Sequence, residues 1–293
     1  MFEQLLYRHL HSFNTELSQH LAQFNGRMAI FNQEAPDDKS KGWNTESQYG
    51  RIVFAVNLQG SPDRIVSGNL MVDVVCQNGK QIPEDLERIV KPLIDGYFFT
   101  DSTQTIAASW SSSNYFTDPD KKEEGVTITY SLLAFPVQLT NDPDPIRAIN
   151  EYTKELIPNS CVIGLDTTEE VWKPTNDFPA IYWRLVSIDP CTWVQSTAAC
   201  EWQQATCQAH ILANDKEKET AISRLLDNGF SLKKSVKLPD GTYMRVDQNI
   251  RINPGADTLQ QGQVTLEATY GIIRKRQSSD VIKTVYVNGT PIT

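Results

Sequence analysis

The sequence lacks a long apolar run. No stretch approaches the roughly 18 consecutive apolar residues that a membrane span needs, although apolar residues make up 40% of the 293-residue chain. Residues 1–24 are apolar but interrupted by charged residues and histidines, and no small-residue cleavage site follows them, which excludes a signal peptide. We therefore expect an intracellular protein with no membrane partner.

Cysteine is scarce and irregularly spaced. No two of the five cysteines form a C-x-x-C pair, so the sequence has neither a zinc-ribbon motif nor a dithiol redox motif. An odd number of scattered cysteines predicts free buried thiols in a reducing compartment. The five are Cys76, Cys161, Cys191, Cys200 and Cys207.

Histidine is scarcer still, with four copies, and three of them lie in the first twenty residues. His9 and His20 are about 16 Å apart along a helix, which is too far for both to bind one metal ion. His11 lies off the face that they share. His210 alternates with the apolar residues of a predicted strand, so we expect it to point to solvent or to another subunit.

Recognised catalytic motifs are missing too. The sequence has no Walker phosphate loop, no nucleophile elbow and no dinucleotide-binding glycine turn. Residues 118–124 are acidic but lack the spacing of a calcium loop, and they favour a solvated hairpin tip. Trp110, Trp183, Trp193 and Trp202 lie on or beside predicted strands, which favours a core or subunit-interface role. We predict no catalytic, cofactor-binding or metal-binding residues and no cofactor.

Charge is distributed unevenly. Residues 1–160 carry 21 acidic and 13 basic side chains, a net of −8, and residues 161–293 carry 15 and 14, a net of −1. The two sum to the −9 of the whole chain. An acidic first half argues against a conventional nucleic-acid-binding surface, because such a surface needs a cationic face.

The first half alternates helical and strand patterns. An apolar stripe predicts an N-terminal helix up to about residue 21, and a polar loop is predicted over residues 33–50. Period-two alternation predicts strands, and Pro83 with two following acids predicts a helix start. The predicted strands are Arg27–Phe31, Arg51–Asn57, Leu70–Cys76, Thr103–Trp110 and Val126–Phe135.

The second half repeats this plan. Two strands and a helix recur at offsets of 130 to 135 residues, and a late strand, Gly262–Ile273, recurs at an offset of 137. In the helix, Lys216–Phe230, we expect Ala221, Ile222, Leu225 and Leu226 to face inward and Gly229 to mark its end. Four matches in order predict an internal duplication.

The predicted fold class is therefore α+β, with two tandem, similar domains, each a mostly antiparallel sheet flanked by helices. We assign residues 1–158 to the first domain, 159–178 to a linker and 179–293 to the second domain. A helix beginning at Asp144-Pro145 falls within the first of these. Residues 281–287 form a last predicted strand and a candidate arm for pairing with a neighbour.

The first half resembles the tail terminator, or tail completion, proteins of long-tailed bacteriophages. The resemblance covers about residues 1–157 and rests on the order of elements: an N-terminal helix, a polar loop, two strands, a helix and a late strand. Its most specific segments are V-D-V-V-C-Q-N-G at 72–79, P-E-D at 83–85 and L-I-D-G-Y-F at 93–98. Family members typically have one such domain, whereas this chain has two, and no single functional residue carries over.

The resemblance implies a structural protein of the phage particle rather than an enzyme. Family members form a hexameric ring that caps the tail tube and presents a surface to the head connector. The implied partners are therefore further copies of the chain, the tail tube protein and the head–tail connector protein. Two alternatives stay open: another virion component, such as a connector, tube or baseplate protein, and an enzyme, such as a pair of hydrolase domains.

The acidic first half adds an expectation about genomic DNA. A ring implies a channel, and an acidic wall repels phosphates over a Debye length of about 8 Å at physiological salt. We expect DNA to pass through the channel without specific binding. The alternative is that the acidic excess faces outward and serves solubility.

Overall fold

The computed structural model describes residues 2–43, 48–59, 68–138, 141–247, 250–256, 261–274, 285–287 and 290–292. The fold is α+β, as the sequence predicted. Two mostly antiparallel sheets each carry helices on one face. No helix among the described residues is long and apolar enough to cross a membrane.

The first half forms one large sheet, a separate two-stranded sheet made by its first two strands, and three helices. The helices are α1 (Phe2–Ser12), α2 (Asn14–Leu17) and α3 (Pro83–Val90), and Pro92 lies in a 3-10 turn, Lys91–Leu93, that follows α3. Four of the five predicted strands are confirmed with longer bounds, and the predicted strand Arg27–Phe31 is divided into two short strands at Ala29. Two further short strands, Gln23–Phe24 and Phe98–Thr100, were not predicted. The strands of this half are β1 (Gln23–Phe24), β2 (Arg27–Met28), β3 (Ile30–Asn32), β4 (Arg51–Leu58), β5 (Gly68–Gln77), β6 (Phe98–Thr100), β7 (Gln104–Asp118) and β8 (Glu123–Pro136).

The second half begins with the helix predicted at Pro145. Its N-terminus is capped by Asp144, whose carboxylate accepts hydrogen bonds from two backbone N–H groups of the first turn. The helices are α4 (Pro145–Leu156) and α5 (Lys216–Lys233). The strands are β9 (Cys161–Val162), β10 (Val171–Trp172), β11 (Ala180–Pro190), β12 (Cys200–Leu212), β13 (Ser235–Lys237), β14 (Tyr243–Val246), β15 (Arg251–Ile252), β16 (Val264–Ile273), β17 (Val285–Val287) and β18 (Thr290–Ile292).

Six strands of each sheet have the same order. From one edge, the first sheet runs β3-β4-β5-β8-β7-β6, with β10 beyond β6, and the second runs β9-β11-β12-β16-β14-β13, with β15 also paired to β16. In each sheet only the first pair, β3 with β4 and β9 with β11, is parallel. A helix precedes each unit and another follows its second long strand. This shared topology agrees with the duplication that the sequence predicted.

The structure differs from the predicted domain division around residues 145–178. Helix α4, assigned to the first domain, packs in the core of the second through Ile146, Ala148 and Ile149. The predicted linker contributes β9 to the second sheet and β10 to the first. The apolar stripe of α4 indicates that one face of the helix is buried, but it does not indicate which sheet covers that face. In the repeated order of elements α4 occupies the position of α1, the helix that precedes the sheet on which it packs.

Helix α5 also departs from its predicted pattern. Ile222 and Leu226 are buried as expected, but Ala221 is exposed and Leu225 is 45% exposed. The helix continues past Gly229 and ends at Lys233, and the C-cap residue Lys234 has a left-handed backbone. Gly229 has a packing role instead, because a Cβ there would lie 2.5 Å from Leu156 Cδ1 of α4. The two helices cross at this glycine.

The helix-free faces of the two sheets meet at one end. Phe135 of β8 contacts Tyr182 of β11 with ring centroids 5.0 Å apart, and the Tyr182 hydroxyl donates to the Pro136 carbonyl at 3.0 Å. The layers therefore run helix, sheet, sheet, helix. The cluster between the sheets comprises Phe98, Ala107, Leu133, Phe135, Cys161, Ile163, Ala180, Tyr182 and Leu212.

At the C-terminal end, β17 and β18 pair with each other. The predicted strand 281–287 is described only from Val285, and its first four residues lie outside the described part of the chain. Its role as an arm stays a prediction.

Candidate functional site

His9 and His210 lie in different halves of the fold. The His9 ring is buried, and its Nε2 donates to the Leu93 carbonyl at 2.7 Å. Burial lowers the His9 pKa, against the opposing effect of that hydrogen bond. His210 is 3% exposed, so the expectation that it faces solvent is wrong. It lies on the helix-free face of β12, where Phe135 of the first sheet covers it.

The thiols are free and mostly buried, as predicted. Burial raises the pKa of Cys76, Cys161 and Cys207 to about 12. A protonated thiol is a poor nucleophile and a poor metal ligand. Within the described residues, no group of three or more histidine, cysteine, aspartate and glutamate side chains is arranged to hold a metal ion.

The predicted hairpin tip at residues 118–124 joins β7 to β8. Residues 119–122 are exposed there, but Glu123 is 6% exposed. Arg51 binds the Glu123 carboxylate at 2.8 Å and the Asp38 carboxylate at 3.0 Å. A polar cavity of about 490 Å³ lies beside this ion pair. The three charged side chains fix the loop over residues 35–39 against the sheet.

The tryptophans have different environments. Trp183 is fully buried, and its indole N–H donates to the Thr153 hydroxyl of α4 at 2.9 Å. Trp110 and Trp193 are 41% and 51% exposed. The Lys91 ammonium lies 3.2 Å from the centroid of the Trp110 ring, in a cation–π contact. The predicted core role therefore holds for Trp183, and two of the others lie on the surface.

A long stretch of β7 has no outer neighbour among the described residues. Strand β6 pairs only with the beginning of β7, Thr105 to Ala107. Ala108 still bonds to the turn before β6, and the Trp110 N–H donates to the Asp95 carboxylate at 2.8 Å. From Ser111 to Asp118, β7 pairs with β8 alone. We call these eight residues the β7 edge.

The direction of the backbone groups on the β7 edge follows from the register. Groups of an antiparallel strand alternate between its two sides. Ala108 bonds outward and faces Leu132 of β8. In β8, Leu132 and every second residue before it therefore direct their backbone N–H and C=O groups toward β5. The β7 residues opposite these positions direct their own backbone groups outward, away from β8. Beyond the one-residue register shift after Trp110, they are Ser113, Tyr115 and Thr117.

Side chains hold the β7 edge against α3. The Glu87 carboxylate of α3 accepts from the Ser113 hydroxyl at 2.6 Å and from the Tyr115 hydroxyl. Burial alone would raise the pKa of Glu87, but these bonds and Lys91 lower it overall. The bond to Glu87 raises the pKa of Tyr115 to about 12. The strand is therefore preorganised although one side of it is open.

The second sheet ends in a basic edge. We call residues 233–237, of sequence K-K-S-V-K, the β13 edge. Lys234 O accepts from Val246 N, and Leu238 N donates to Thr242 O, so these positions bond inward to β14. Alternation then directs the backbone groups of Ser235 and Lys237 outward. The three lysine side chains of the edge are exposed.

Neither edge was identified from the sequence. The signal for the β7 edge is a polar strand, S-S-S-N-Y-F-T-D, that continues eight residues beyond the apolar part of β7. The signal for the β13 edge is the lysine run before the turn at Pro239. Both became recognisable only when the strand order was known, because an open edge is defined by its neighbours.

The chain matches no known family model and no curated protein. The resemblance to tail terminator proteins therefore stays a prediction. The strand order, the open edges and their charges are the observations on which a function can be argued.

Proposed function

We propose that the chain is a structural subunit of a phage particle that assembles into a ring. The observation that carries the proposal is the β7 edge. A long open strand edge offers a row of unpaired N–H and C=O groups to another chain. Monomeric proteins usually protect such an edge with proline, lysine or a covering loop, and residues 111–118 contain neither proline nor lysine.

A ring accounts for this edge because closed rotational symmetry gives every edge a partner. Following the resemblance, we place the ring at the end of the tail tube, next to the head connector, with six copies of the chain. Its partners are then the tail tube protein on one side and the connector protein on the other. The chain has no catalytic role in this proposal.

The channel of such a ring passes genomic DNA without gripping it. This part of the proposal is supported by the net charge of −8 on residues 1–160. An acidic wall repels phosphates only within a Debye length of about 8 Å, so a channel wider than the duplex holds DNA off its wall at little energetic cost. A basic wall would instead bind phosphates through counterion release.

Two measurements test the proposal. Light scattering on the purified chain over a range of concentrations is expected to give a discrete oligomer, and electron microscopy is expected to show closed rings. A protein that stays monomeric at every concentration would contradict the ring, and open filaments would indicate a tube subunit. Tight DNA binding by isolated rings at ~0.15 M salt would contradict passage without gripping.

A further inference from the structure

The two open edges lie in different halves of the chain and carry opposite charge. Glu87 of α3 accepts hydrogen bonds from the Ser113 and Tyr115 hydroxyls of the β7 edge, Glu84 lies one turn earlier on the same helix, and Asp118 ends the strand. The β13 edge carries Lys233, Lys234 and Lys237. Glu151 and Glu155 of α4 line the same surface, but Arg147 pairs with Glu151, so the excess charge there is positive.

Their backbones are also complementary. The β7 edge directs outward groups at Ser113, Tyr115 and Thr117, and the β13 edge directs them at Ser235 and Lys237. Among the described residues, none pairs with either set. On each edge, the outward backbone N–H and C=O groups recur at every second residue, which is the spacing that an antiparallel or parallel neighbouring strand requires. An intermolecular strand pair between them would satisfy backbone groups that are otherwise left to water.

We propose that the β7 edge of one copy pairs with the β13 edge of the next copy. The partner of each edge is thus a second copy of this chain, and the contact runs head to tail. Such a contact is heterologous, and it closes into a ring when the rotation between copies permits. Pairing like with like, β7 against β7, would bring the same carboxylates together, which is unfavourable. This inference rests on the proposed ring function and names its interface.

Charge reversal tests the pairing. Variant A carries Glu84→Lys, Asn114→Lys and Thr117→Lys, which change the summed charge of Glu84, Glu87, Asp118 and the substituted positions from −3 to +1 and so make the β7 edge basic. Variant B carries Lys234→Glu and Lys237→Glu, which make the β13 edge acidic. Each variant alone then faces like charge across the contact, and we expect assembly to weaken at least about tenfold. Mixed in equal amounts, A and B are expected to assemble as well as the wild type, because every contact is again between opposite charges.

A mixed assembly has a further property. Variants A and B must alternate around the ring, so every closed ring contains equal numbers of the two. Native mass spectrometry measures this ratio when one of the two variants is isotopically labelled. The matched control carries Glu217→Lys and Arg224→Glu, which reverse two exposed charges on α5 away from both edges. We expect this control to assemble like the wild type.

A proline variant tests the backbone pairing independently of charge. The Thr117 N–H points outward, so Thr117→Pro leaves the ladder to β8 intact and removes one intermolecular donor. We expect the monomer to keep its circular dichroism spectrum and assembly to weaken about tenfold or more.

The outcomes separate the two levels of the proposal. A wild type that never assembles contradicts the ring function and this pairing together. A wild type that assembles, with variants A and B and Thr117→Pro assembling equally well, contradicts only the pairing. Normal assembly of variant B beside failure of variant A indicates contact between two β7 edges and also overturns it.

Discussion

The hydrogen bond between Trp183 and Thr153 gives a direct test of how helix α4 is attached. Thr153 lies on α4 and Trp183 on β11, both side chains are fully buried, and the indole N–H donates to the hydroxyl at 2.9 Å. The sequence alone placed α4 in the first domain, where this contact could not exist. A double-mutant cycle with Thr153→Val and Trp183→Phe therefore measures a contact specific to the observed fold.

The expected magnitudes follow from burial. Thr153→Val leaves the indole N–H unpaired in a dry site, which costs about 1–3 kcal/mol of unfolding free energy. In Trp183→Phe the freed Thr153 hydroxyl can turn to a carbonyl of its own helix, so the cost arises mainly from the lost ring atoms, about 1–3 kcal/mol. The double variant leaves no unpaired donor. We expect it to cost about 1 kcal/mol less than the sum of the two single variants.

Equilibrium urea unfolding followed by circular dichroism measures these differences without relying on tryptophan emission. Thr127→Val is a useful comparison, since it removes a hydrogen bond from the Thr127 hydroxyl to the Asp73 carboxylate in the other sheet, away from both residues of the cycle. It is expected to be additive with Trp183→Phe. Strict additivity of Thr153→Val with Trp183→Phe would refute the reasoning, because it would mean that the two side chains do not meet in the folded protein.

Three further predictions concern titratable groups. The pKa of His9 is lowered by burial, so the folded state binds this proton less tightly than the unfolded state does, and the free energy of unfolding should fall as the pH drops below about 6.5. In urea titrations at several pH values, His9→Gln should flatten this dependence on pH. An unchanged slope would count against the assignment to His9. Burial and the nearby Glu267 raise the pKa of Asp247, against the effect of Arg245. Its charged form is therefore disfavoured by folding, and Asp247→Asn should raise the denaturation midpoint at pH 7, whereas a lower midpoint would contradict the assigned cause. An aromatic disulfide reagent at pH 8 should label the native protein quickly at the half-buried Cys200 and slowly at the four buried thiols. Cys200→Ser should abolish the fast phase. Rapid labelling of several thiols would contradict this prediction. The slow thiols are Cys76, Cys161, Cys191 and Cys207.

Much of the fold could be predicted because most long strands bury one face. In β5, for example, Leu70, Val72 and Val74 are fully buried while Met71 is 42% exposed, and this alternation is visible in the sequence. The same property revealed the repeat. Two-residue strands such as β9 and β10 are too short to have a period, so the segment that contains them was interpreted as a linker.

Other features depend on tertiary contacts that no local pattern encodes. Leu225 is apolar and lies beside the buried Leu226, so periodicity alone could not exclude it from the core. His210 was expected on an open face because the sequence does not reveal that a second sheet covers that face. The open edges were missed for the converse reason, since an edge is recognised by the neighbour that a strand does not have.

The path of the chain between the two sheets has a consequence for how the protein can be divided. Strand β10 completes the first sheet but follows α4 and β9, which belong to the second. A cut before α4 deprives the first sheet of its last strand, and a cut after β10 deprives the second of its first helix and first strand. No single cut leaves both halves whole, because a continuous segment that holds all of one half also carries elements of the other.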